Sequence, residues 1–312
     1  ETGRARPRFS RVPGVGPGCF HAASAGNDLL VATRSGLVVV GPAGSRVVPG
    51  TERAAVYAVE PSIRFPGRFW LGLPDGLGLL RREGATWGLE SFTQGIGGPI
   101  RFIVELPGVD AVWLGSVFRG VLRVRFPSGG GAPRVATVGT ADEVSLFSGR
   151  DGLRAVLAGR GVSRVDTRTP ALVEDSVFAA VKDDREAFLG AEDSAGNAWL
   201  NTVPPSFVVR KDGRLSGERR VVTGIPGRDF QLLSALDDVV WLGSEDGLFR
   251  YEVAATRPLP PLPAPLVRRV VAGRGTLLYG GAEGPARRDV PEAPASAGRL
   301  RCECAPRTYD QP

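Results

Sequence analysis

The sequence predicts an all-β fold: a seven-bladed β-propeller of four-stranded antiparallel blades, its ring closed by the N-terminal strand. Three observations carry this expectation. First, 43 Gly and 26 Pro punctuate a chain of 312 residues. Without a collagen period, that density signals many short strands joined by turns. Second, one phrase recurs: an apolar strand, a tight Gly turn, then another apolar strand. Residues 239–251 (Val-Val-Trp-Leu-Gly-Ser-Glu-Asp-Gly-Leu-Phe-Arg-Tyr) show it best. Third, its copies lead at Leu30, Trp70, Trp113, Val156, Trp199, Trp241 and Leu278, 37–43 residues apart. A strand-rich period of about 40–45 residues means one four-stranded blade per repeat.

Each blade can be written as four strands, a to d. Strand a, nearest the axis, is residues 56–59, 100–104 and 230–233 in three of the copies. Strand b is the Trp-Leu-Gly segment. Strand c follows the turn Gly, as in residues 121–126 and 248–251. Strand d is outermost, for instance residues 219–222. Many strands are apolar throughout, as expected where both sheet faces pack on neighbours. The Trp heading strand b supplies a wedge for that packing. The Gly closing the b–c turn tolerates positive φ. The fourth copy lacks the Trp and has a short turn, and the fifth carries Pro204 and Pro205 in its turn. The Pro-rich run at residues 258–265 reads as an extended connector between blades 6 and 7, rather than a polyproline ligand.

Closure is read from the ends. Residues 9–16 resemble residues 221–227, an outer strand running into the next inner one. The seventh copy supplies strands a (266–271), b (276–280) and c (284–290) but no d. Residues 8–12 are therefore expected to complete the last blade, which would remove two exposed sheet edges. Deleting residues 1–14 should then lower stability sharply. The domain expectation is a propeller over residues 1–292, followed by a linker and a single strand within residues 293–312.

The net charge is +6. Its basic part is almost all Arg, scattered among Asp and Glu rather than clustered with aromatics, which argues against nucleic acid. No apolar window reaches the roughly 18 residues of a membrane helix. There is no Met and no signal peptide, so the chain reads as an excerpt of a longer protein. Cys19, Cys302 and Cys304 form no disulfide framework, and no zinc spacing accompanies them. Cys302 and Cys304, two apart, read as small apolar residues on one face of a strand. His21, the sole histidine, has no metal or triad partner at a recognisable spacing and reads as a strand residue. No cofactor and no metal are expected.

At this point the phrases carry a likeness. Residues 240–251 and residues 70–77 (Trp-Leu-Gly-Leu-Pro-Asp-Gly-Leu) resemble two-component regulator propeller repeats. Residues 192–200 (Glu-Asp-Ser-Ala-Gly-Asn-Ala-Trp-Leu) match the front half of that signature. The tail, residues 300–305 with Tyr309–Pro312, is similar to the opening of the small immunoglobulin-like three-Tyr domain that follows such propellers. The resemblance implies the periplasmic or extracellular part of a membrane-anchored bacterial sensor. The membrane would be reached only through segments beyond residue 312, with a histidine kinase or diguanylate cyclase as output.

The functional expectation is a non-catalytic input domain that binds a small ligand or glycan, or another receptor subunit, with a homodimer as one form of the latter. Its residues would sit on the rim shared by the b–c and d–a turns: Arg34, Asp75, Arg119, Arg160, Asp184, Arg228, Glu245 and Asp246. The alternatives are a purely structural interaction propeller and, more distantly, a propeller lyase or glycosidase. The last needs paired carboxylates, a base or a metal at the axis. The inner strands supply mostly apolar residues instead.

Overall fold

The computed structural model describes residues 9–84, 86–127, 131–181, 188–225, 230–236, 238–253, 266–272, 276–279 and 300–305. The chain divides into two compact units, Glu1–Ala254 and Ala255–Pro312.

The first unit is a run of antiparallel sheets, each strand paired with the next in sequence. Blade 1 is β1 (Cys19–Ala25), β2 (Asp28–Thr33), β3 (Gly36–Gly41) and β4 (Gly44–Val47). Blade 2 is β5 (Ala58–Pro61), β6 (Arg68–Leu73), β7 (Gly76–Glu83) and β8 (Thr86–Gln94). Blade 3 is β9 (Ile100–Glu105), β10 (Val112–Ser116), β11 (Gly120–Arg125) and β12 (Arg134–Gly139). Blade 4 is β13 (Val144–Gly149), β14 (Gly152–Leu157), β15 (Gly161–Asp166) and β16 (Ala171–Glu174). A short 3-10 turn, Ser176–Val181, follows it. Blade 5 is β17 (Gly190–Glu192), β18 (Ala198–Leu200), β19 (Ser206–Lys211) and β20 (Arg214–Val221). Blade 6 has three described strands, β21 (Leu232–Leu236), β22 (Val239–Ser244) and β23 (Gly247–Glu252). The first strands touch in succession, β1 to β5, β9, β13, β17 and β21, so strand a lines the inner side.

The core lies in the seams between blades, one apolar cluster per seam. Trp70 fills the seam between blades 2 and 3, Trp113 that between blades 3 and 4, and Trp199 that between blades 5 and 6. The ring of Trp199 stacks on Phe207 at 4.5 Å and meets Tyr251 at 4.9 Å. Burial of one such ring is worth about 4–6 kcal/mol before entropy is counted. The wedge reading of the repeated Trp therefore holds for these copies. The b–c turn Gly has positive φ at Gly36, Gly120, Gly161 and Gly247. At Gly76 the requirement is space instead: a Cβ there would lie 2.3 Å from the Thr93 carbonyl oxygen. The hairpin at Asp212–Gly213 has positive φ at both residues, the backbone of a type I′ turn.

Two expectations fail here. Among the described residues the propeller has six blades, not seven, and no N-terminal strand closes a ring. The apolar run expected to be the inner strand of a seventh blade is β24 (Leu266–Ala272). It is the central strand of a three-stranded sheet, between β25 (Thr276–Tyr279) and β26 (Leu300–Ala305). A blade requires that strand at the inner edge. Here both of its edges are taken, one by β25 and the other by β26, which pairs with it from Leu266↔Ala305 to Ala272↔Leu300. The segment read as the opening of a three-Tyr domain is thus the edge strand of this sheet, and nothing here shows that domain. At the N-terminus, residues 9–12 form no strand, and β1 is itself the first strand of blade 1. The Pro13 carbonyl accepts from Ser45 Oγ at 2.6 Å, which seats this segment beside the outer strand of blade 1. Expected strand c of the seventh copy and the Pro-rich connector lie outside the described residues.

Candidate functional site

The b–c turns of blades 2, 3 and 4 each bond to a neighbouring d–a connection, which puts these turns on one rim. Asp75 Oδ1 accepts from the Gly97 N–H at 2.6 Å. Gly97 also lies under Arg119: a Cβ on it would sit 2.4 Å from that guanidinium. Asp75 and Arg119 are thereby brought to one connector, the one joining blades 2 and 3. Arg160 Nη1 donates to the Thr140 carbonyl at 2.8 Å, on the connector between blades 3 and 4. The Arg34 N–H donates to the Gly18 carbonyl at 3.0 Å. In the blade 6 turn the Asp246 N–H donates to Ser244 Oγ at 3.2 Å. Asp184 and Arg228 lie outside the described residues. The rim therefore gathers Asp75 with Arg119, places Arg34 and Arg160 on separate turns, and puts Glu245 and Asp246 together on the blade 6 turn.

The same turns hold an exposed aromatic that sequence reasoning passed over. Phe118, at the tip of the blade 3 turn, has φ +75 and keeps 71% of its surface open. A non-glycine residue in that region costs about 1 kcal/mol or more. Its N–H donates to the Asp142 carbonyl at 3.0 Å, which holds it there.

Inside the rim, His21 and Glu60 meet on the inner strands of blades 1 and 2. His21 Nε2 lies 3.4 Å from Glu60 Oε1, and His21 Nδ1 is 3.1 Å from the Val59 carbonyl. Burial pushes the Glu60 carboxyl up to about 7. Burial lowers the His21 pKa, against a smaller opposing effect of the Val59 carbonyl. The neutral acid and the neutral imidazole are thus both favoured, and the pair can hold a single proton between them. The enzyme reading asked for a base at the axis, and this pair is the nearest approach to one. It lacks a second carboxylate: among the described residues no group of three or more His, Cys, Asp or Glu converges.

The opposite rim is occupied with holding the blades. Glu105 Oε2 accepts from the Ile63 and Arg64 N–H groups, while Oε1 accepts Trp70 Nε1 at 2.9 Å. Asp193 accepts from the Asn197 N–H at 2.8 Å and Trp199 Nε1 at 2.8 Å. This explains the acidic position in the repeat signature: it folds the a–b turn and ties the indole. Arg210 grips Asp151 at 2.8 and 3.1 Å, which holds the Asp151 carboxyl below its ordinary range. A cleft of about 280 Å³ lies between the a–b turns of blades 2 and 3, lined by Ile63, Arg64, Glu105 and Val109. Its charges are already engaged, Arg64 with Asp110 and Glu105 with the turn.

No family model matches this chain, and no curated protein matches its sequence. Solved structures do match its shape. The extracellular domain of BT4673 from B. thetaiotaomicron, described as a hybrid two component system, aligns at 11% identity with a TM-score of 0.61. That alignment covers 89% of this chain and 46% of the other. A second structure of it, described as a one component system, gives 11% identity and a TM-score of 0.60, with 89% and 45% covered. YCF48 bound to D1 peptide aligns at 13% identity with a TM-score of 0.54, over 77% of this chain and 80% of its own. At such identities the likeness shows the fold: this chain is a β-propeller. It spans somewhat under half the length of the BT4673 domain. No helix among the described residues is long and apolar enough to cross a membrane.

Proposed function

We propose that this chain is an extracytoplasmic input domain of a bacterial signal-transduction receptor. It binds a small ligand, a glycan or a partner subunit on the b–c and d–a rim and carries no chemistry of its own. The observation behind this reading is the match of 89% of the chain to an extracellular domain of a hybrid two component system. The receptor's membrane segment and output module then lie beyond residue 312. Binding would act by favouring one of two arrangements of receptor subunits. Asp75 and Arg119 form its centre, since they converge on one connector.

A thermal-shift screen of oligosaccharides and small anions on the purified chain tests this. A stabilising compound whose effect disappears in Arg119→Gln supports the reading. No shift with any compound, alongside concentration-dependent dimerisation in light scattering, favours the runner-up, an interaction propeller without a small ligand. Phe118 is the observation in favour of that second reading, because a strained, exposed ring is what a protein partner would cover.

A further inference from the structure

The inner strands carry a repeated irregularity at the rim end. In blade 1 Cys19 faces Thr33 and His21 faces Ala32, which leaves Phe20 as an extra residue. In blade 3 Ile100 faces Ser116 and Phe102 faces Gly115, which leaves Arg101 extra. In blade 2 Ala58 faces Gly72, and the preceding Tyr57 N–H donates to the same Gly72 carbonyl at 2.8 Å. Blade 6 repeats that pattern, with Leu232 facing Gly243 and the Gln231 N–H bonded to its carbonyl at 2.9 Å. A bulge takes one residue out of the pleat and re-aims its side chain. Phe20, Tyr57 and Arg101 are thus the same structural position in three consecutive blades, and in blades 2 and 3 the strand beside them is buried at Val56, Ala58 and Ile100.

Their side chains come together. The rings of Phe20 and Tyr57 are 5.0 Å apart, and the Arg101 guanidinium lies 5.8 Å from the Tyr57 ring centre. Phe20 keeps 40% of its surface open, and Arg101 is exposed. Among the described residues no carboxylate pairs with Arg101. A guanidinium laid on an aromatic face keeps its N–H edge free and oriented, the geometry that reads a carboxylate through two parallel bonds. Phe20 beside it offers a flat apolar face.

We infer that Phe20, Tyr57 and Arg101 form a binding collar for a small organic carboxylate with a flat or apolar body. The carboxylate sits on Arg101 and the body lies against Phe20. This rests on the input-domain reading and names a ligand class for the same end of the propeller. One guanidinium suits a singly charged head.

Calorimetric titration of the whole chain with phenylacetate, acetate and phenylacetamide tests the collar. Phenylacetate binds, and the two fragments, charge without ring and ring without charge, each bind at least about 10-fold more weakly. Arg101→Gln weakens phenylacetate by about 10-fold or more, and Phe20→Leu by about 3-fold. Both variants keep the wild-type melting temperature, because both side chains are exposed. Equal binding of all three compounds, or phenylacetate binding unchanged in Arg101→Gln, overturns the collar. Loss of phenylacetate binding in Arg119→Gln alone moves the site to the rim turns and leaves the input-domain reading standing. If phenylacetate fails to bind while another compound in the wider screen does, only the collar falls. Absence of any small ligand removes the collar and favours the interaction propeller.

Discussion

Nε2 of His21 stands 3.4 Å from the carboxylate of Glu60, across the boundary between the inner strands of blades 1 and 2. Glu60 holds its proton up to about pH 7, against an ordinary value near 4.5, because burial disfavours the anion. The folded state therefore binds this proton more tightly than the unfolded chain. Its contribution is present at low pH and is lost as pH rises from about 4.5 through 7. His21 acts in the opposite sense: its lowered pKa costs stability as pH falls below its ordinary 6.5. Glu60→Gln removes the first effect alone. It should leave stability unchanged at pH 4 and raise it at pH 8 by about 1 kcal/mol, the full shift being reduced by the water that still reaches the side chain. Melting curves at the two pH values read this out. An equal gain at both would mean that Glu60 ionises normally.

Glu105 is the keystone of the a–b turn of blade 2. Its two oxygens take the N–H groups of Ile63 and Arg64, the Ser62 hydroxyl and the Trp70 indole. Gln at this position keeps the volume but presents an amide where two donors point. Glu105→Gln should cost about 2–3 kcal/mol in urea unfolding. Hydrogen exchange at Ile63 and Arg64 should quicken in parallel. Stability within about 0.5 kcal/mol of wild type would show that water replaces the carboxylate.

Arg154 is 3% exposed, with Nε donating to Asp175 Oδ2 at 3.0 Å and its guanidinium over the Phe178 ring at 5.6 Å. Removing Arg154 strands Asp175 in the seam between blades 4 and 5, whereas removing Asp175 leaves Arg154 the more distant Asp151, at 3.7 Å. Arg154→Met should cost about 3–5 kcal/mol and Asp175→Asn about 2–3 kcal/mol. The double variant should cost less than their sum by about 1–3 kcal/mol. Strict additivity in urea unfolding would show that the two groups act independently.

How far the sequence was legible depends on what each residue answers to. The seam residues Trp70, Trp113 and Trp199 were readable because a large ring at a fixed place in a repeat has one use, to fill the gap between sheets. The blade count was not. Residues 266–272 match an inner strand in composition, but whether a strand is inner or central depends on its partner. The period is silent on the competition from residues 300–305. His21 and Glu60 were invisible to a search for short metal or triad spacings. Their signal was their spacing of 39 positions, close to one repeat, which places both on adjacent inner strands. Asp75 lies in the b–c turn of blade 2, and its bond to the Gly97 N–H is a loop-holding role that composition cannot distinguish from a ligand-facing one.

The Gly of the Trp-Leu-Gly phrase provides the last expectation. Neither Gly72 nor Gly115 has positive φ, so backbone freedom does not demand them. Space does. A Cβ on Gly72 would lie 2.1 Å from the Ile100 carbonyl oxygen, on the inner strand of blade 3. On Gly115 it would lie 3.0 Å from Phe102 Cβ and 3.1 Å from the Val144 carbonyl oxygen. The first contact is impossible without moving the backbone of the next blade, whereas the second needs a few tenths of an ångström. Gly72→Ala should therefore cost about 3 kcal/mol and Gly115→Ala about 1 kcal/mol, by the range for overpacked cores. Urea midpoints measured together decide it. Equal costs would mean that the glycine serves the strand's own conformation rather than the approach of the neighbouring blade.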